Sequence, residues 1–158
     1  MSLSTAYAKP WPATFNAPAA KWTKKEVEAG QVYLTQSYLI LCDEPLGKHR
    51  LDEMTRMVES VRKALELFPL NLLPDRRKSG KNGEYSRHVV RIVTSQRKYL
   101  AMGGPKGSIG FYDGRSGEVT VSLELLIEPK SQHSRLEPRQ RYRLLVHELV
   151  HQAMGERL

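Results

Sequence analysis

Two histidines and a glutamate near the end of the sequence have the types and spacing to do chemistry. His147-Glu148-Leu149-Val150-His151 lies within the run Tyr142 to Leu158, YRLLVHELVHQAMGERL. Residues four apart stack on one face of an α-helix, so His147 and His151 can aim imidazole nitrogens at one point, as two ligands of a zinc ion. Glu148 stands about 100° further round, beside the metal rather than on it, where a general base for a metal-bound water belongs. The competing reading makes the three groups the solvent-facing stripe of an ordinary amphipathic helix. The apolar residues around them, Leu144-Leu145-Val146, Leu149-Val150 and Ala153-Met154, leave no clean polar side. They predict a helix buried on most of its circumference, with the three groups set into an apolar wall. Buried imidazoles and carboxylates are costly without a partner, which favours the metal.

The rest of the chain has to supply the frame for that helix. Residues 1–30 read as an extended, proline-rich arm, with Pro10, Pro12 and Pro18 among small residues and Trp11, Phe15 and Trp22 as anchors. Within it, Lys24 to Glu28 can start a short helix that Gly30 ends. Residues 31–158 form the domain. Gln31 to Asp43, rich in Val, Tyr, Leu and Ile, reads as one strand, bent near Gln36-Ser37. Leu51, Met54, Val58, Val61, Leu65 and Phe68 recur at helical steps and predict an amphipathic helix over Leu51 to Phe68 that packs on a sheet. A loop over Arg76 to Tyr85 leads to a strand at Arg87 to Thr94, and Ser95 can cap a brief helix over Gln96 to Met102. Ser108 to Tyr112 and Glu118 to Leu123 read as a hairpin joined by Asp113-Gly114-Arg115-Ser116-Gly117. Pro138 suits the first turn of the final helix. The fold class is α+β, a mixed sheet with a packing helix and a C-terminal active-site helix.

Composition narrows the function classes. At 158 residues with 40% hydrophobic and 27% charged residues, the chain is long enough for one domain with a sizeable core. It has no apolar run of the roughly 20 residues that a membrane span needs. The single cysteine, Cys42, excludes an internal disulfide framework and a cysteine zinc cage, and its apolar neighbours make it a core residue. The formal charge of +8 is concentrated in Arg76-Arg77-Lys78 with Lys81, and in Arg135, Arg139, Arg141 and Arg143. Neither cluster is interleaved with aromatics as in single-strand binders, so solvated basic faces are preferred over a nucleic-acid partner.

The succession LDEMTRMVESVRKALELF, VVRIVTSQRKYL, GSIGFYDGRSGEVTV and LLVHELVHQ resembles the N-terminal part of a zincin metallopeptidase domain. More narrowly, it is similar to the gluzincin-type, peptidase-MA-like domains of bacterial proteins of unknown function. The likeness spans residues 31 to 155, and its specific motif is the last. The resemblance implies a zinc-dependent peptidase with His147 and His151 as metal ligands and Glu148 as the base. It further implies that the last strand before the helix, Glu118 to Leu123, is the sheet edge, where Val119, Thr120 and Val121 pair with a peptide substrate. A plain edge covered by the N-terminal arm is the alternative.

A catalytic zinc site uses three protein ligands and a water, and the resemblance places the third, a Glu, on a later helix. The sequence ends seven residues after His151. Glu156, about 500° round from His151, turns away, and His49, His88 and His133 read as surface or core-edge residues. The expectation is therefore that the sequence is a piece of a longer protein, or that its metal site is incomplete. Two alternatives stand beside the peptidase: an inactive binding module of the same fold, and a nucleic-acid-associated SprT-like metalloprotease.

Overall fold

The apolar steps that begin at Leu51 form helix α1, Lys48–Leu67, in a computed structural model that describes residues 12–27, 30–68, 87–127 and 138–155. Leu51, Met54, Val58 and Val61 are buried, as the helical spacing predicts. They lie against a six-stranded mixed sheet made of β1 (Thr23–Val27), β2 (Gly30–Leu34), β3 (Tyr38–Cys42), β4 (His88–Val93), β5 (Gly110–Asp113) and β6 (Glu118–Ser122). The order across the sheet is β1-β2-β3-β4-β6-β5. β3, β4 and β6 run parallel, while β1 and β2 at one side and β5 at the other are antiparallel to their neighbours. Three helices join α1: α2 (Gln96–Ala101), α3 (Leu123–Ile127) and α4 (Pro138–Met154). The α+β class is thus observed.

Register separates the two faces of the sheet. Tyr33, Ile40, Val90, Val119 and Tyr112 form one cross-strand row. It joins Leu51, Met54 and Val58 of α1 and Leu145 and Leu149 of α4 in the main core. The neighbouring row, Val32, Leu41, Arg91, Thr120 and Phe111, faces the other way. There Tyr99 of α2 meets Phe111 edge-on with ring centroids 5.8 Å apart. Ser95 caps α2 as its position predicts, its side chain accepting from the Lys98 N–H at 3.2 Å.

Several expectations are corrected. Lys24 to Val27 belongs to a strand rather than a helix, so the sheet begins inside the proposed arm, at Thr23. Gly30 makes the return possible: its φ of 137° and the Cys42 carbonyl, 2.3 Å from where a Cβ would sit, exclude a side chain. Gln31 to Asp43 is two strands, not one bent strand, with the chain reversing at Thr35 to Ser37. The reversal is fixed from outside, by Glu59 on α1. This carboxylate is only 8% exposed and accepts from Thr35 Oγ1 at 2.6 Å and from the Ser37 N–H at 2.8 Å. The edge is corrected as well. β6, which carries Val119, Thr120 and Val121, pairs with β4 on one side and β5 on the other, and all three residues are buried. The hairpin folds its first strand outward, so the edge is β5. Leu123 also leaves the strand to begin α3, whose Leu125 N–H donates to Ser122 Oγ at 3.4 Å. The loops at 76–85 and 128–137, and residues 1–11, lie outside the described residues.

Removing the Glu59 carboxylate takes this acceptor from the buried Ser37 N–H and leaves the Thr35 hydroxyl with the Tyr38 carbonyl at 3.2 Å. Glu59→Ala is expected to destabilise the fold by about 1–3 kcal/mol in urea unfolding. A loss under about 1 kcal/mol would show that the β2–β3 turn holds its shape without this clamp.

Candidate metal centre

Helix α4 is fixed by its buried side. Leu145, Leu149 and Ala153 enter the core. Gln152 Nε2 donates to the carbonyls of Val89 at 2.6 Å and Gly117 at 2.8 Å, pinning the end of the helix to β4 and to the β5–β6 turn. The helix packs on β5, β6 and α1. At its other end, Tyr142 Oη donates to Glu53 Oε1 at 2.8 Å and ties α4 to α1.

That tie is sensitive to alkali. Burial, then the hydrogen bond and charge of Glu53, push the Tyr142 phenol up to about 12. A folded-state value above the ordinary 10.0 means that the neutral phenol stabilises the fold below pH 10, and that this stability is lost as pH rises through about 12. Tyr142→Phe is expected to flatten this part of the alkaline stability profile. An unchanged slope between pH 10 and 12 in the variant would remove Tyr142 as its source.

With its apolar side committed, α4 turns the motif outward. His147 is exposed, while Glu148 and His151 are half-buried. The apolar wall expected around the motif forms on one side only: Leu145, Leu149 and Ala153 are buried and Val146 and Val150 half-buried against the core, while Leu144 is left 40% exposed. The spacing still brings the imidazoles together. His147 Nε2 and His151 Nε2 are 2.9 Å apart, with ring centroids 4.4 Å apart and planes at 78°. Two nitrogens bound tetrahedrally to zinc at 2.0–2.1 Å stand about 3.3 Å apart, so opening the pair by a few tenths of an ångström suits it to the ion.

Glu148 points to the sheet edge. Its Oε2 accepts from the Tyr112 N–H of β5 at 2.9 Å. That N–H faces away from β6, because Ile109 bonds Ser122, and the antiparallel ladder then alternates inward and outward along β5. Beneath this edge lies the Tyr99 phenol. It is held above its ordinary value mainly by burial, partly opposed by the Ser108 hydroxyl, with the Glu148 charge adding to the rise. The ring fits only because residue 104 is glycine, where a Cβ would lie 2.4 Å from it.

No protein-family model, curated protein or solved structure matches this chain. The site is therefore read from its own geometry.

Among the described residues, no third His, Cys, Asp or Glu joins the two imidazoles in a metal-binding group. His49 is exposed in the first turn of α1. His88 opens β4, its ring 5.7 Å from that of Tyr38 and its Nε2 3.4 Å from Arg62 Nη1. His133 and Glu156 lie outside the described residues. The expected edge residues Val119, Thr120 and Val121 are not at the site; Tyr112 of β5 takes their place. Its contribution is a backbone N–H, which no side-chain motif announces.

Proposed function

We propose that the chain carries the catalytic motif of a zinc-dependent peptidase of the zincin type. The observation that carries this reading is the pair of converging Nε2 atoms on the open side of α4, with the adjacent Glu148 carboxylate fixed by an edge-strand amide. The sheet supports it: parallel strands closed by one antiparallel edge strand beside the motif helix offer an extended peptide a place to pair.

His147 and His151 would hold the metal through Nε2, with a further ligand from outside the described residues. A zinc ion there lowers the pKa of a bound water to about 7 and polarises a carbonyl. Glu148 takes a proton from the attacking water and passes it to the leaving amine. The Tyr112 N–H holds Oε2 and leaves Oε1 to carry the proton. β5 aligns the peptide backbone, so the scissile bond is presented beside the metal rather than by chance collision.

The incomplete ligand set among the described residues favours a second reading, a binding module of the same fold without catalysis. Zinc titration of the metal-free protein, followed by hydrolysis of an unfolded protein substrate, separates them. Stoichiometric uptake with metal-dependent cleavage supports the peptidase. Uptake without cleavage supports the module, and no uptake in excess zinc refutes the metal centre. The nucleic-acid-associated alternative requires DNA retention that weakens steeply with salt.

A further inference from the structure

The turn of α4 that precedes the motif is also open, and its chemistry is specific. Arg143 and Leu144 are both exposed, Leu144 at 40%. They stand four residues before His147 and Glu148 respectively, so each is the neighbour of one motif residue, with Cβ atoms about 5–6 Å apart. Arg143, His147 and His151 thus form one stripe, and Leu144 and Glu148 run beside it. Among the described residues Arg143 makes no ion pair, whereas Arg62, Arg91, Lys48 and Lys98 each hold a carboxylate. The nearby Glu148 carboxylate is turned to the Tyr112 amide instead.

We propose that Arg143 and Leu144 form a specificity subsite for a peptide carboxylate on a short apolar stem, next to the scissile bond. The inference rests on the peptidase reading for the bound molecule being a peptide. The Leu144 side chain covers the stem. The planar guanidinium of Arg143 pairs with the carboxylate in the two-pronged geometry that a lysine cannot reproduce. The net charge of +8 draws anionic peptides toward the protein. A glutamate side chain and a free C-terminus offer the same chemistry, and experiment tells them apart.

Binding is read by fluorescence anisotropy of labelled peptides at low ionic strength, on the zinc-loaded full chain carrying Glu148→Gln to stop turnover. The peptides differ at one position, Glu, Gln or Lys, and each is made as free acid and as carboxamide. One of two contrasts is expected at about tenfold: Glu over Gln if a side chain is recognised, free acid over carboxamide if the terminus is. Adding Arg143→Gln is expected to bring that ratio to about one, and Arg143→Glu to favour the Lys peptide. Both changes are at an exposed position, and circular dichroism checks the fold. Equal binding of acids and amides, a ratio untouched by Arg143→Gln, or no binding of any peptide overturns the subsite. Wild-type cleavage without acid preference leaves the peptidase and removes the subsite. Arg143-dependent binding without cleavage by the wild type does the reverse.

Discussion

Glu148→Gln is expected to lower zinc-dependent kcat/KM by about 10²–10⁴-fold, the usual contribution of a general base. Zinc affinity should change by no more than a few-fold, because the residue stands beside the ligands rather than among them. The substitution is close to isosteric. The new amide oxygen can accept from the Tyr112 N–H as Oε2 does at 2.9 Å, so the side chain stays in place and only its basicity is lost. Steady-state kinetics at saturating zinc, with a competition titration for the metal, measure both quantities. Full activity in the variant would move the base elsewhere. A collapse of zinc affinity would make Glu148 a ligand.

His147→Ala is expected to act on the metal and hardly on the fold. The side chain is exposed and its contact with His151 lies within the same helix, so the loss should stay within about 1 kcal/mol. The metal-free variant should therefore unfold close to wild type. With free zinc at one hundred times its dissociation constant, the wild type gains about 2.7 kcal/mol, which raises Tm by several degrees. The variant keeps one imidazole of the converging pair and should show almost none of that rise. Calorimetry with and without zinc gives all four values. An equal zinc-induced rise in both proteins would mean that the ion binds away from α4.

Much of the frame can be read from residue order alone. The steps from Leu51 to Val61 specify α1 and its buried side, Ser95 marks the start of α2, and the turn residues between Tyr112 and Glu118 place a hairpin. The motif helix is equally plain. What the residues around it do not specify is which side turns inward. Leu144 and Leu145 are chemically alike, yet one is 40% exposed and the other fully buried, because β5, β6 and α1 decide where the core lies. The break in Gln31 to Asp43 carries no glycine or proline. Its signal is Glu59, 22 residues beyond Ser37 and meaningful only once α1 has docked. β1 was hidden for a different reason: Thr23-Lys24-Lys25-Glu26-Val27 is compatible with helix, loop or edge strand, and pairing with β2 decides among them. The edge is not legible in the sequence, because a hairpin has two strands and nothing local says which one goes in beside β4. The even burial of Val119, Thr120 and Val121 is what a strand flanked on both sides looks like.

The bond between Glu148 and the Tyr112 N–H has a colloidal side as well. An open row of backbone donors at a sheet margin is a template on which copies of a chain can stack into aggregates. β5 is four residues long, and one of its outward donors is already occupied by an ionisable side chain from another element. At the opposite margin, β1 presents Lys24 and Lys25, both exposed, whose like charges repel the same strand of a second molecule. Self-stacking is thus opposed by like charges at one margin, while at the other the Glu148 carboxylate takes one outward donor and leaves the rest of β5 open to a peptide.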